Sequence, residues 1–188
     1  MFRPLLALAV ALVPAVAHAD SGNLELGPAL AVASESSDVR SAGHPGVAVS
    51  GVAWNGSFGL VVEAGHQPWA WDSSANWLAA GARISPASSP KKICDRRSCL
   101  ALRPWLELGV AREMWMIEEP GIPQTSFDRN AGRAGVGLDM LTNNVGGTVW
   151  FRVQHATDRP TVMGAFGEAR EPYDTSLVVG LGVFFAAM

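Results

Sequence analysis

Leu177-Val178-Val179-Gly180-Leu181-Gly182-Val183-Phe184-Phe185 decides the fold. Successive side chains of an extended strand point to opposite faces, so Leu177, Val179, Leu181, Val183 and Phe185 share one face. Val178, Gly180, Gly182 and Phe184 share the other. One face is broad and apolar and the other is narrow, made mostly of glycine. The period of two predicts a strand with a greasy side and a tightly packed side.

The same alternation recurs along the chain and predicts eight strands, near 23–34, 46–54, 57–66, 77–85, 99–116, 131–141, 147–156 and 175–186. Most match the roughly 9–11 residues that a tilted strand needs to cross a bilayer. The fifth is longer and is expected to project beyond it. Asn55-Gly56 is a tight hairpin turn, and 142–147 is another short connection. Longer loops fall near 35–45, 67–76, 117–130 and 157–174. With the amino terminus on the inner side, all four long loops lie outside, as in bacterial outer-membrane barrels. Residues 86–98 break the rule: they form a longer inner turn that carries two cysteines.

Residues 1–19 read as a cleaved export signal. Arg3 is the charged start, Leu5 to Val13 the apolar run, and Ala17-His18-Ala19 the small-residue cleavage site. The remaining domain, 20–188, has 188 − 19 = 169 residues. No later segment offers the roughly 18 continuous apolar residues of a membrane helix. A crossing must then be a closed sheet, because open strand edges cannot sit in lipid. Without Arg3 the chain keeps 13 basic against 17 acidic side chains, which argues against a nucleic-acid partner. Lysine occurs only at Lys91 and Lys92. Cys94 and Cys99 are expected to form a disulfide in an oxidising compartment. No further cysteine or histidine ligands stand nearby, so neither a metal nor a cofactor is expected.

Composition assigns the two faces. Leu26, Leu30, Phe58, Leu60, Ile84, Leu106, Leu108, Val136, Val149, Phe151 and Val153 have the parity of the greasy face. Gly27, Gly59, Gly65, Gly81, Gly109, Gly135 and Gly137 have the other, together with four acids and four bases. These are Glu25, Glu63, Glu107 and Asp139, with Arg83, Arg103, Arg133 and Arg152. Eight strands leave room only for side-chain packing inside. Buried charges persist when paired, so these eight are expected to form an ionic network that plugs the lumen. Strand two is ambiguous: Val47 and Val49 have one parity, Val52 and Trp54 the other, which a bulge or a shifted register would explain. Trp54, Trp77, Trp115 and Tyr173 lie near strand ends, where a membrane-interface position is expected. Trp69 and Trp71 stand in an outer loop, as a contact surface or as loop packing.

The export signal, the eight alternating segments and the terminal Leu-Val-Val-Gly-Leu-Gly-Val-Phe-Phe make the chain resemble the small eight-stranded outer-membrane barrels of the OmpA, OmpX and PagL types. Members commonly finish on an aromatic residue; here Phe185 is followed by Ala186-Ala187-Met188. Phe151-Arg152-Val153-Gln154-His155-Ala156-Thr157 is similar to the PagL-type strand that bears a His-x-Ser pair. That resemblance implies a lipid A deacylase in which His155 is the base and Thr157 the nucleophile, with Glu171 or Asp174 orienting the histidine. Threonine replaces the family serine, Asp158 the following asparagine, and Asp174 has inward parity.

The expected fold is therefore all-β, an eight-stranded antiparallel up-and-down transmembrane barrel with a filled polar lumen. The first functional expectation is a non-enzymatic, monomeric barrel of a Gram-negative-type outer membrane. It would contact membrane lipid and lipopolysaccharide, and offer its outer loops to a surface ligand. The alternatives are a PagL-like lipid A 3-O-deacylase and a soluble periplasmic ligand-binding barrel.

Overall fold

The computed structural model describes residues 23–36, 41–68, 74–86, 91–94, 99–117, 124–142, 144–158, 162–163, 169–170 and 175–187. The predicted leader, Trp69, Trp71, Glu171, Tyr173 and Asp174 lie outside the described residues. Eight long strands build the body: β1 (Asn23–Ser36), β2 (Ser41–Asn55), β3 (Phe58–Pro68), β4 (Ser74–Ile84), β5 (Cys99–Ile117), β6 (Thr125–Thr142), β7 (Val145–Ala156) and β8 (Thr175–Ala187). Each pairs antiparallel with its sequence neighbour, and β8 pairs back onto β1, so the sheet closes. Gly56, with φ 59°, makes the β2–β3 turn, a backbone angle that glycine adopts without strain.

The register fixes the shape. Starting at Leu24, direct partners run Ala53, Leu60, Ala82, Leu108, Ala134, Val153, Leu177 and Ser34. One circuit thus returns 34 − 24 = 10 residues further along β1. Ten residues of stagger over eight strands tilts each strand by about 40° from the axis. Each residue then climbs about 2.5 Å along the axis, and each step to the next strand about 3 Å.

Three sequence expectations need adjustment. β2 and β6 begin at Ser41 and Thr125, inside the expected loops, because their partner strands β1 and β5 run on to Ser36 and Ile117. The β2 pairings are continuous, with Gly46, Ala48, Val52 and Trp54 all buried, so that strand has neither bulge nor shift. Val52 is simply an apolar residue of the interior. The inner turn holds a two-stranded extension in which Lys91–Cys94 pairs with Cys99–Leu102, closed by a Cys94–Cys99 disulfide.

The greasy face points outward. Leu30, Leu60, Leu106, Leu108, Val179 and Phe185 are among more than twenty large apolar side chains left exposed. By the rises above, this belt extends from about 0 to 20 Å above Leu24, close to the ~25 Å apolar band of transmembrane barrels. Inside, large side chains sit on glycine. Trp54 faces Gly59, Trp77 faces Gly65, Trp105 faces Gly137, Trp150 faces Gly180 and Phe184 faces Gly146, each a direct cross-strand partner. A Cβ added to Gly65 would lie 2.0 Å from the Trp77 ring, and one on Gly137 would lie 2.3 Å from Trp105. Gly59, Gly65, Gly137, Gly146 and Gly180 are therefore the seats of rings, whereas Gly27, Gly81 and Gly109 lie against neighbouring backbone.

Candidate functional site

Two regions concentrate polar chemistry: the lumen, and the upper rim of the outer wall. In the lumen all eight expected charges are buried. At the short-turn end, Arg103 Nη1 lies 2.5 Å from Glu25 Oε1, and Trp54 Nε1 donates to Glu25 Oε2 at 2.9 Å. Trp105 Nε1 donates to Asp139 Oδ1 at 2.9 Å. At mid-height Glu107 is the hub. It accepts from Arg83 Nε (2.8 Å), Arg133 Nε (2.7 Å) and Arg152 Nη2 (3.1 Å). Glu63 accepts from Arg133 Nη1 (3.1 Å), Arg152 Nη1 (2.8 Å) and Trp77 Nε1 (3.1 Å). Alternation puts these groups on one face, and the ten-residue stagger brings strands far apart in sequence across the narrow lumen.

A third tier near the loop end carries residues that the sequence reading missed. Arg129 Nε lies 2.5 Å from Glu113 Oε2, Trp115 Nε1 donates to the same carboxylate at 2.8 Å, and Gln154 Nε2 donates to Glu113 Oε1. Guanidinium groups also lie over indole rings: Arg83 over Trp105 at 3.9 Å and Arg103 over Trp54 at 4.5 Å. This corrects the interface position expected for Trp54, Trp77 and Trp115. All three turn inward, because a buried carboxylate gives each indole N–H a partner, while the rings of Trp54 and Trp77 fill space above glycine and that of Trp115 stacks on Phe127. The spacing held the signal: in Arg103-Pro104-Trp105-Leu106-Glu107, charge and ring alternate on one face.

Little space remains between these groups. A cavity of about 40 Å³ lies above Glu63 and Arg152, lined also by Trp77, Trp115 and Trp150. A second, of about 10 Å³, touches Glu25, Asp139 and Thr148. The first has room for a few waters and the second for about one. Pockets for organic ligands run from roughly 300 Å³ upward.

On the outer wall, polar side chains form a rim about 20–30 Å above Leu24, where the apolar belt ends. His66 Nδ1 lies 2.9 Å from Asn76 Oδ1. Arg112 donates to Asp128 Oδ2 (3.0 Å) and Asn130 Oδ1 (3.2 Å). Both suggested catalytic groups lie here, exposed and engaged elsewhere. His155 Nδ1 is 2.9 Å from Thr175 Oγ1. The Thr157 hydroxyl is 2.6 Å from Asp158 Oδ1 and 3.0 Å from the Asn130 carbonyl. No hydrogen bond joins His155 to Thr157, and Glu171 and Asp174 lie outside the described residues. Asp158 also accepts from the backbone and side chain of Asn130. The Thr157 hydroxyl first, and Asn130 with it, hold the Asp158 carboxyl below the usual aspartate value. Asn130, Thr157 and Asp158 thus clasp β6 to the upper end of β7, while His155 ties β7 to β8.

A closed eight-stranded sheet with paired charges within and hydrocarbon side chains without has the form of a transmembrane barrel. Its fold is that of the small eight-stranded outer-membrane barrels. Among solved structures the chain is similar to Neisserial surface protein A, at 15% identity over 88% of this chain and 99% of that one, with a TM-score of 0.62. It is similar to the N-terminal barrel domain of OprF from Pseudomonas aeruginosa, at 14% identity over 89% and 100%, with a TM-score of 0.59. It is also similar to the outer membrane protein OprG of Pseudomonas aeruginosa, at 12% identity over 88% and 93%, with a TM-score of 0.50. No family model and no curated protein matches the sequence.

Proposed function

We propose that this protein is a non-enzymatic, monomeric integral barrel of a Gram-negative-type outer membrane, exported with a leader of residues 1–19 that is then removed. Its wall rests among membrane lipid and lipopolysaccharide, and its long-loop end contacts ligands at the cell surface. The observation that supports this reading is the filled interior: among the described residues, the two cavities between the ion pairs and indoles have room for waters. A solute path and a lumenal ligand site are then both poor uses of the fold, which leaves the wall and the loops. One of the similar structures is named as a surface protein.

The second reading is a lipid A ester hydrolase. It is favoured by the place of His155 and Thr157 on the outer wall at the rim, and by the open space over Gly132, the direct partner of His155. It is disfavoured by the separate partners of the two side chains. The test is mass spectrometry of lipid A after incubation with the purified barrel. We expect the mass to be unchanged. Loss of one acyl chain, abolished by His155→Ala, would overturn the first reading in favour of the second.

A further inference from the structure

The lower lumen holds one charge that the ionic network leaves unanswered. Asp139, on β6, is 2% exposed, and the donor to its Oδ1 is neutral, the Trp105 indole. Arg103 is its direct partner on β5, yet that guanidinium turns to Glu25, at 2.5 Å. Arg83 lies over the Trp105 ring and gives its Nε to Glu107. Among the described residues no ion pair reaches Asp139. Its Oδ2 is buried there without a hydrogen-bond partner, and so is Thr148 Oγ1, the hydroxyl of its direct partner on β7. These two groups could bond to each other, and they do not.

Both face the cavity of about 10 Å³, together with Glu25 of β1 and Ser50 of β2. By the axial rises above, this space lies roughly 3–10 Å above Leu24, where the wall outside is hydrocarbon. A charge so enclosed persists when it is paired or when it coordinates a metal ion. Carboxylate and hydroxyl oxygens are hard ligands and suit a hard cation. Charge and size select which one. Glu25 and Asp139 against Arg103 leave 2 − 1 = 1 negative charge, since Arg83, which also borders the cavity, is engaged by Glu107. Calcium takes roughly six to eight oxygens, and magnesium keeps several of its waters. A space for about one water suits neither.

We propose that a sodium ion is held between Asp139 Oδ2, Thr148 Oγ1 and the side chains of Glu25 and Ser50. It is a structural ion enclosed as the barrel closes, not a ligand exchanged at the cell surface, and it does not depend on what the loops bind. Its oxygens come from β1, β2, β6 and β7, on both sides of the seam between β1 and β8. The unfolded chain does not assemble them, so sodium binds the folded barrel and stabilises it.

The test is urea unfolding of the full barrel in phosphatidylcholine vesicles, with sodium chloride exchanged for choline chloride at constant ionic strength. Choline is too large for the cavity, and fixed ionic strength keeps screening equal. We expect the wild-type unfolding constant to fall about tenfold for each tenfold rise in sodium once the site begins to fill. Asp139→Asn should abolish that dependence. Thr148→Val, which keeps the carboxylate and the side-chain shape, should need about tenfold more sodium for the same effect, and it carries the test if Asp139→Asn does not fold. Arg112→Gln/Asp128→Asn, on the outer wall, should respond as the wild type does. Equal stability of the wild type in sodium and choline would overturn the proposal and assign the cavity to a water. An undiminished sodium response in both Asp139→Asn and Thr148→Val, or its loss in the outer-wall variant, would overturn it as well.

Discussion

Arg133 with Glu107, and Arg112 with Asp128, are the same chemistry on two sides of one wall. The inner pair is 1% and 0% exposed, while the outer pair is 54% and 50% exposed. Glu107 accepts from three guanidinium groups on β4, β6 and β7. Asp128 meets one, from the strand next to it. Charge count therefore says little about stability in this barrel, and enclosure decides. Inside, removing one partner leaves another ion without solvent or counter-charge, whereas outside, water takes the vacated place.

The largest effect is expected from breaking the inner network. Arg152→Leu removes donors from both Glu63 and Glu107 and should lower the stability of the folded barrel by about 3–5 kcal/mol, read as a shift of the urea midpoint in vesicles. An unchanged midpoint would mean that the two sides of the wall do not differ. Next in size is an attack on packing without touching charge. Gly137→Ala puts a methyl against Trp105 and should cost about 1–3 kcal/mol. Trp105→Phe in the same background should recover part of the loss, despite leaving Asp139 without its indole donor. Smaller still is Arg112→Gln with Asp128→Asn: the double-mutant coupling should be below about 1 kcal/mol and vanish in high salt. A coupling as large as that of the inner pairs would erase the contrast.

The gentlest probe is pH at the rim. Asp158 has its carboxyl held below 3.8, the ordinary aspartate value. A depressed value means that the clasp is complete above the unfolded-state value and is lost as pH falls through the lower folded-state one. Amide exchange at Asn130 and Thr157 should therefore accelerate at acid pH, relative to the intrinsic rate, below about 3.8. Asp158→Asn should remove most of that acceleration.

Much of this contrast was legible in the sequence, since parity alone separated Leu106 and Leu108 from Arg103 and Glu107. Strand ends were less legible: β2 and β6 run past their own alternating stretches because the neighbouring strands supply backbone partners. The tryptophans were misplaced because a ring with one polar atom suits the bilayer interface and a polar lumen equally well by position. Only its partner decides, and Glu25, Glu63 and Glu113 are remote in sequence or easily read as solvated. Glu113 and Arg129 were missed for a related reason, since Arg129 falls in a stretch that reads as loop. For His155 and Thr157, a shared face brought them to one rim. It did not foretell that each would find a different hydrogen-bond partner.

The seats of the rings lie between successive strands: Trp54 on Gly59, Trp105 on Gly137, Trp150 on Gly180. Two of the ion pairs join distant ones, Glu25 with Arg103 and Glu63 with Arg152, whereas Arg83 and Arg133 reach Glu107 from the strands beside it. A growing sheet can therefore slot its aromatic knobs and the pairs around Glu107 hairpin by hairpin, while Glu25 and Glu63 wait for guanidiniums that only the curling of the sheet brings across the lumen. Closing the barrel completes the neutralisation of the inside, so an unfinished curl of strands has an electrostatic reason to finish.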